Sequence, residues 1–166
     1  GPIDYFDITR PKFKPLPVVI RMNPANHLQG LYVQSVFQSN LEQTLFFRVY
    51  EENSLPESLI KGNEPPAFTM ILQILEENPL KFRFELFGRE QETALASGEL
   101  RENEKTDLRE LGLQMANTFI KNSLGFRGIA QSRIAYTSQK KNGRKNIMLS
   151  SYDGTHQQRF SYNLGS

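Results

Sequence analysis

Two histidines and no cysteine bound the chemistry available to this chain of 166 residues. Without cysteine there is no disulfide, no thiolate metal site and no cysteine nucleophile. His27 and His156 stand far apart, and neither has a partner at metal-ligand spacing such as His-x-x-x-His. Both read as surface-loop residues, His27 just before an expected helix and His156 just after an Asp153-Gly154 turn. A Ser–His–Asp arrangement would have to be assembled by tertiary folding, because no local pattern announces one. Phosphate-cradling glycine loops are missing too, with neither Gly-x-Gly-x-x-Gly nor Gly-Lys-Ser/Thr in the sequence.

Two charged clusters remain. Glu99, Glu102, Glu104, Asp107 and Glu110 surround the expected start of a helix. There they complement the positive end of the helix dipole, which is a stabilising role rather than a catalytic one. Lys140, Lys141, Arg144 and Lys145 flank Asn142-Gly143 at an expected hairpin tip. They could meet phosphates, but no aromatic side chain is interleaved for base stacking, and solubility accounts for lysines at such a tip. Twenty basic against eighteen acidic residues give a formal net charge of only +2, too small to argue for nucleic acid. The expectation is therefore a chain without catalytic residues, metal or cofactor, which does not bind nucleic acid.

The elements that must carry such a function follow from patterning. The hydrophobic share of 38% and charged share of 23% fit an ordinary globular domain. No apolar run approaches the roughly 20 residues that span a bilayer, so no membrane insertion is expected. The longest, residues 68–75, is broken by Thr69 and Gln73. No charged-then-apolar leader opens the chain, and Gly1-Pro2 reads as a protease-cleavage scar. Ile3, Asp4, Tyr5, Phe6, Asp7 and Ile8 alternate like a short edge strand, followed by a connector holding Pro11, Pro15 and Pro17. Val18, Val19 and Ile20 form a β-branched run that predicts a strand buried on both faces, stopped by Asn23-Pro24.

A first helix is expected over residues 29–45. Its stripe is Val33, Val36, Phe37, Leu41 and Leu45, with Asn40 and Thr44 interrupting and Asn26 as N-cap. A strand over 46–50 and a polar loop over 51–66 follow, the loop with a short helical turn at 57–61. Three antiparallel strands are expected at 68–76, 80–86 and 94–100. The middle one alternates cleanly, with Leu80, Phe82, Phe84 and Leu86 on one face and Lys81, Arg83 and Glu85 on the other. A second helix over 107–124 buries Leu108, Leu111, Met115, Phe119 and Ile120, starts at an Asp107/Glu110 capping box and ends at Gly125.

Beyond Gly125 the pattern changes to short strands at 134–137, 147–149 and 160–162. A polar loop at 139–145 and a tight turn at 152–154 separate them. That spacing predicts a propeller or sandwich. The expected fold class is therefore α/β (α+β), a mixed sheet packed by two helices over 1–125, followed over 126–166 by a truncated piece of a propeller or sandwich. An isolated hairpin with open edges should fold back on the domain or pair with another copy.

Three stretches carry a family resemblance. Gly128-Ile129-Ala130-Gln131-Ser132-Arg133-Ile134-Ala135-Tyr136-Thr137 resembles the beginning of the TolB-family propeller. Leu149-Ser150-Ser151-Tyr152-Asp153-Gly154 resembles the turn closing its next hairpin. Residues 6–18, from Phe6-Asp7-Ile8 to Leu16-Pro17-Val18, resemble the opening of the TolB-family amino-terminal domain. Residues 61–103 carry no such motif. Two departures are Ile20-Arg21-Met22-Asn23-Pro24, where many members have a Pro-Phe pair, and Ser150-Ser151 in place of an aspartate.

The resemblance implies a periplasmic component of the Tol–Pal cell-envelope system. It implies docking of the amino-terminal segment onto the carboxy-terminal domain of TolA, and binding of Pal by the rest of the propeller. Carried onto this sequence, the docking residues are Ile3, Asp4, Tyr5, Phe6, Asp7, Ile8, Thr9 and Arg10. An edge segment suits that use, since exposed ladder groups can extend a partner's sheet while alternate side chains give specificity. Two other expectations stand beside it. One is the amino-terminal fragment of a propeller-bearing hydrolase whose catalytic residues lie outside this chain; the other is a generic α/β scaffold of an oligomer.

Overall fold

A run of β-branched residues placed between two neighbours organises the first sheet. The computed structural model describes residues 14–62, 65–126, 134–151 and 153–163. Strand β1 (Leu16–Asn23) pairs parallel with both β2 (Phe47–Glu51) and β3 (Phe68–Glu77). Val18, Val19 and Ile20 are all buried, as the uninterrupted apolar run requires of a strand covered on both faces. Strand β3 pairs antiparallel with β4 (Leu80–Gly88), and β4 with β5 (Ala96–Arg101), giving the mixed order β2-β1-β3-β4-β5.

Two long helices cover one face of this sheet. Helix α1 (Leu28–Gln43) connects β1 to β2 and buries Val33, Phe37 and Leu41. Its N-cap is His27, not Asn26: the His27 Nδ1 accepts the Gly30 N–H at 3.1 Å. A ring nitrogen here does the work usually given to a Ser, Thr or Asx oxygen. The helix also ends earlier than its apolar stripe does, because Leu45 takes φ 67° and turns out to solvent, 53% exposed. We expect His27→Ala to lower stability by about 1 kcal/mol through loss of this cap. Urea unfolding with an unchanged m-value checks it, and an unmoved midpoint would show the ring to be dispensable.

The polar loop expected after β2, with its short helical turn, has a topological task. Parallel strands need a crossover of a dozen or so residues to return the chain to the same end of the sheet. Residues 52–67 supply it, through a 3₁₀ turn (Glu52–Ser54) and the single helical turn α2 (Glu57–Ile60). The return ends where Ala67 N–H donates to Pro17 O at 2.9 Å, starting the β1–β3 ladder.

Helix α3 (Leu108–Ser123) crosses α1 over the centre of the core. Asp107 Oδ1 accepts the Glu110 N–H at 2.8 Å at its start, and Gly125 at φ +81° follows its end, both as the sequence predicts. Phe119 stands at the middle of an aromatic cluster. Its ring centroid is 5.0 Å from Phe47, 5.1 Å from Phe68 and 5.9 Å from Phe37, each pair edge-to-face. Phe126, just past Gly125, packs on Phe68 at 5.2 Å and on the bare backbone of Gly88. That contact fixes where the chain leaves the α/β unit.

The remaining described residues form a second, antiparallel sheet of order β6-β7-β8: β6 (Ile134–Lys141), β7 (Arg144–Ser151) and β8 (Gln157–Asn163). The first two strands are longer than their composition implies. The stretch 139–145 is not a loop; the ladder runs to the pair Lys141↔Arg144 and closes through Asn142 and Gly143 alone. Both turn residues have positive φ, 53° and 73°, the pattern a type I′ turn requires and one that matches the twist of the strands. Turn chemistry outweighs polarity here. Ile134, Ile147 and Leu149 are buried and join the same apolar cluster as the α/β unit, so this sheet packs back on the domain.

Candidate protein-docking surfaces

The segment Ile3 to Arg10 lies outside the described residues. What the structure places is its point of attachment. Lys14 and Pro15 are exposed, and Leu16 is then fastened by its N–H to Phe46 O at 2.8 Å. The segment therefore joins the fold at the amino-terminal end of β1, between β2 and β3.

Both histidines and several acidic residues make local structural contacts. His27 caps α1, and its Nε2 lies 3.8 Å from Glu77. His156 N–H donates to Ser151 Oγ at 3.0 Å, and its Nδ1 lies 3.0 Å from Thr155 Oγ1, inside the turn built on Asp153. That carboxylate accepts the Thr155 N–H and hydroxyl and the Ser151 hydroxyl at 2.6 to 3.0 Å. In the acidic cluster, Glu99 pairs with Lys81 at 3.5 Å and Glu102 accepts the Leu80 N–H at 3.2 Å, while Asp107 caps α3. Among the described residues no group of three or more His, Asp or Glu side chains converges as a metal site.

Parallel strands commonly bind ligands at their carboxyl ends. Such a cleft exists here, between the ends of β1 and β2 and the start of α1, with Met22, Gln34 and Glu51 in its lining. Its volume is only about 80 Å³, against roughly 300–1,000 Å³ for small-molecule sites. Its polar groups also satisfy one another: Gln34 Nε2 donates to Glu51 at 3.0 Å, and Arg21 Nε donates to Glu52 at 2.8 Å.

Surfaces suited to proteins are more evident. Leu28 is 82% exposed and Tyr32, one turn further along α1, is 47% exposed. On the second sheet, β6 and β8 each pair on one side only among the described residues, with β7 between them. The outward face of that sheet holds a groove of about 570 Å³ lined by Thr137, Gln139, Asn146, Met148 and Arg159. Sequence reasoning treated the basic run beside it as a solubility device and did not find the groove. The missing signal was the pairing register, which alone brings Arg159 and Thr137 to either side of Met148.

No family model matches the chain, and no curated protein matches it. Among solved structures it is similar to the crystal structure of TolB from Acinetobacter baumannii, at 16% identity and a TM-score of 0.49. That match covers 90% of this chain and 39% of the other, so the chain spans about two fifths of the length of that structure. It is also similar to the PelC dodecamer from Paraburkholderia phytofirmans in two crystal forms, both at 12% identity, with TM-scores of 0.44 and 0.42. Those matches cover 67% and 68% of this chain and 90% and 89% of the others.

Proposed function

We propose that this chain is a non-enzymatic, periplasmic protein-binding module of the Tol–Pal cell-envelope system. In this reading residues Ile3, Asp4, Tyr5, Phe6, Asp7, Ile8, Thr9 and Arg10 dock onto the carboxy-terminal domain of TolA, and further propeller repeats bind Pal. The carrying observation is the order of the architecture. A two-helix mixed sheet is followed by a three-stranded antiparallel sheet, turned at Asp153-Gly154, with both outer edges unpaired among the described strands. A propeller blade has four strands and buries its faces against neighbouring blades. Three strands in a row after an α/β unit fit the first part of such a blade. The sequence stretches 6–18, 128–137 and 149–154 support the same family at separate places along the chain. No helix among the described residues is long and apolar enough to cross a membrane.

The attachment point favours the docking role. A segment leaving from the end of a strand inside the sheet can be presented to a partner while β1 stays fastened through Leu16. We expect the chain, and a peptide copy of residues 3–10, to bind a TolA carboxy-terminal domain with a dissociation constant of roughly 1 μM to 1 mM, about 4–8 kcal/mol. Calorimetry with the domain from the same organism measures it. Absence of heat from the full chain at millimolar partner would sink this reading.

A further inference from the structure

We propose that the outward face of the β6–β7–β8 sheet is a docking groove for an extended, carboxylate-rich segment of a partner protein. Charge is the first ground. Residues 1–125 hold thirteen basic and seventeen acidic side chains, whereas residues 126–166 hold seven basic and one acidic. The modest net charge of the whole chain hides this separation. Register is the second ground. The cross-strand pair Lys141↔Arg144 on the outward face, like Lys140↔Lys145 on the opposite face, sets like charges directly opposite each other, an arrangement that destabilises a hairpin unless anions relieve it. No described carboxylate lies within ion-pair distance of these four or of Arg159. The single acid of the region, Asp153, accepts hydrogen bonds within its own turn.

The geometry of the face then selects the partner. In the ladder, Lys141 and Arg144 project on the same side as Thr137, Gln139, Asn146, Met148 and Arg159. Arg159 lies opposite Met148, four residues along from Arg144, a separation of roughly 13 Å at the rise of a strand. The groove of about 570 Å³ runs from Arg159 to Gln139 and Asn146, and Lys141 and Arg144 lie two residues beyond these on the same face. Between the cations stand the amides of Gln139 and Asn146, with the Met148 side chain as an apolar floor. An extended peptide carries same-side side chains at that rise, so carboxylates four residues apart reach both ends at once. Single-stranded nucleic acid would need aromatic side chains for base stacking, and the groove lining has none.

The test uses the full chain and a ten-residue fluorescent peptide with Glu at every second position, read by anisotropy. Controls are the same peptide with Gln, an oligothymidylate of ten residues, and vesicles of phosphatidylcholine with phosphatidylglycerol. The Glu peptide should bind at low salt and weaken as salt rises, as exposed charge pairing is screened. Arg159→Ala and the double substitution Lys141→Gln/Arg144→Gln should each weaken it roughly threefold to tenfold. Circular dichroism should stay unchanged, since removing like charges relieves repulsion. This result is independent of TolA docking, which uses residues 3–10. The proposal is overturned if the Gln peptide binds equally, if the substitutions leave binding intact, or if the Glu peptide fails to bind at millimolar concentration. Tighter binding of the oligonucleotide or the vesicles, abolished by the same substitutions, would assign the groove to that class instead.

Discussion

Phe119→Ala should remove about 3–5 kcal/mol of stability, the cost typical of deleting a fully buried aromatic ring. The ring is 0% exposed and contacts three others edge-to-face, on α1, β2 and β3. Edge-to-face pairs contribute about 0.5–1.5 kcal/mol beyond buried area, so the upper half of the range is expected. Collapse into the space is difficult because Phe37, Phe47 and Phe68 are held by three different elements. Domains of this kind have total stabilities of about 5–15 kcal/mol, so the variant should sit near the edge of folding. The measurement is urea unfolding followed by far-ultraviolet circular dichroism. A loss under about 1.5 kcal/mol would mean that the cluster relaxes freely and does not hold helix to sheet.

The second large effect runs against ordinary expectation. Glycine inside a helix costs roughly 1 kcal/mol relative to alanine, so Gly112→Ala on α3 would normally stabilise. Here the added methyl carbon would lie 2.6 Å from Val36 Cβ, 2.7 Å from its Cγ1 and 2.9 Å from Val33 O. Two of those atoms belong to a stiff β-branched side chain and one to the backbone of α1, so none can move alone. Overpacking of this kind costs about 1–3 kcal/mol, which exceeds the propensity gain. We therefore expect Gly112→Ala to be net destabilising by about 1 kcal/mol and Gly112→Val by clearly more. A higher urea midpoint for Gly112→Ala would show that α1 and α3 can separate without loss.

Gly112 also illustrates what the sequence alone could not disclose. The helical pattern of 107–124 assigns it no role, whereas the packing of α3 on α1 leaves no room for a methyl group there. His27 is a similar case. By type it was a loop histidine with Asn26 as the expected cap, and only the backbone path puts its Nδ1 against the Gly30 N–H. The basic run is the third. Its residues were visible as a cluster, but the groove they border needs Arg159, fourteen residues beyond Lys145 in sequence and two strands away from Lys141.

By itself, the sequence determined whatever depends on local periodicity and on turn chemistry. The buried run 18–20 made a strand covered on both faces. The alternation of β4 put Leu80, Phe82, Phe84 and Leu86 toward the helices. The stripe of α3 buried Leu111, Met115, Phe119 and Ile120, and Gly125 took the left-handed conformation at its end. Only tertiary structure decided the strand order, the crossover that makes β3 parallel to β1, the length of the β6–β7 hairpin and the juxtaposition of its cations with Arg159. The physical reason is range. A side chain's preference for one face is set within a turn of helix or two residues of strand, whereas pairing partners are chosen by burial and hydrogen bonding summed over residues far apart in the chain.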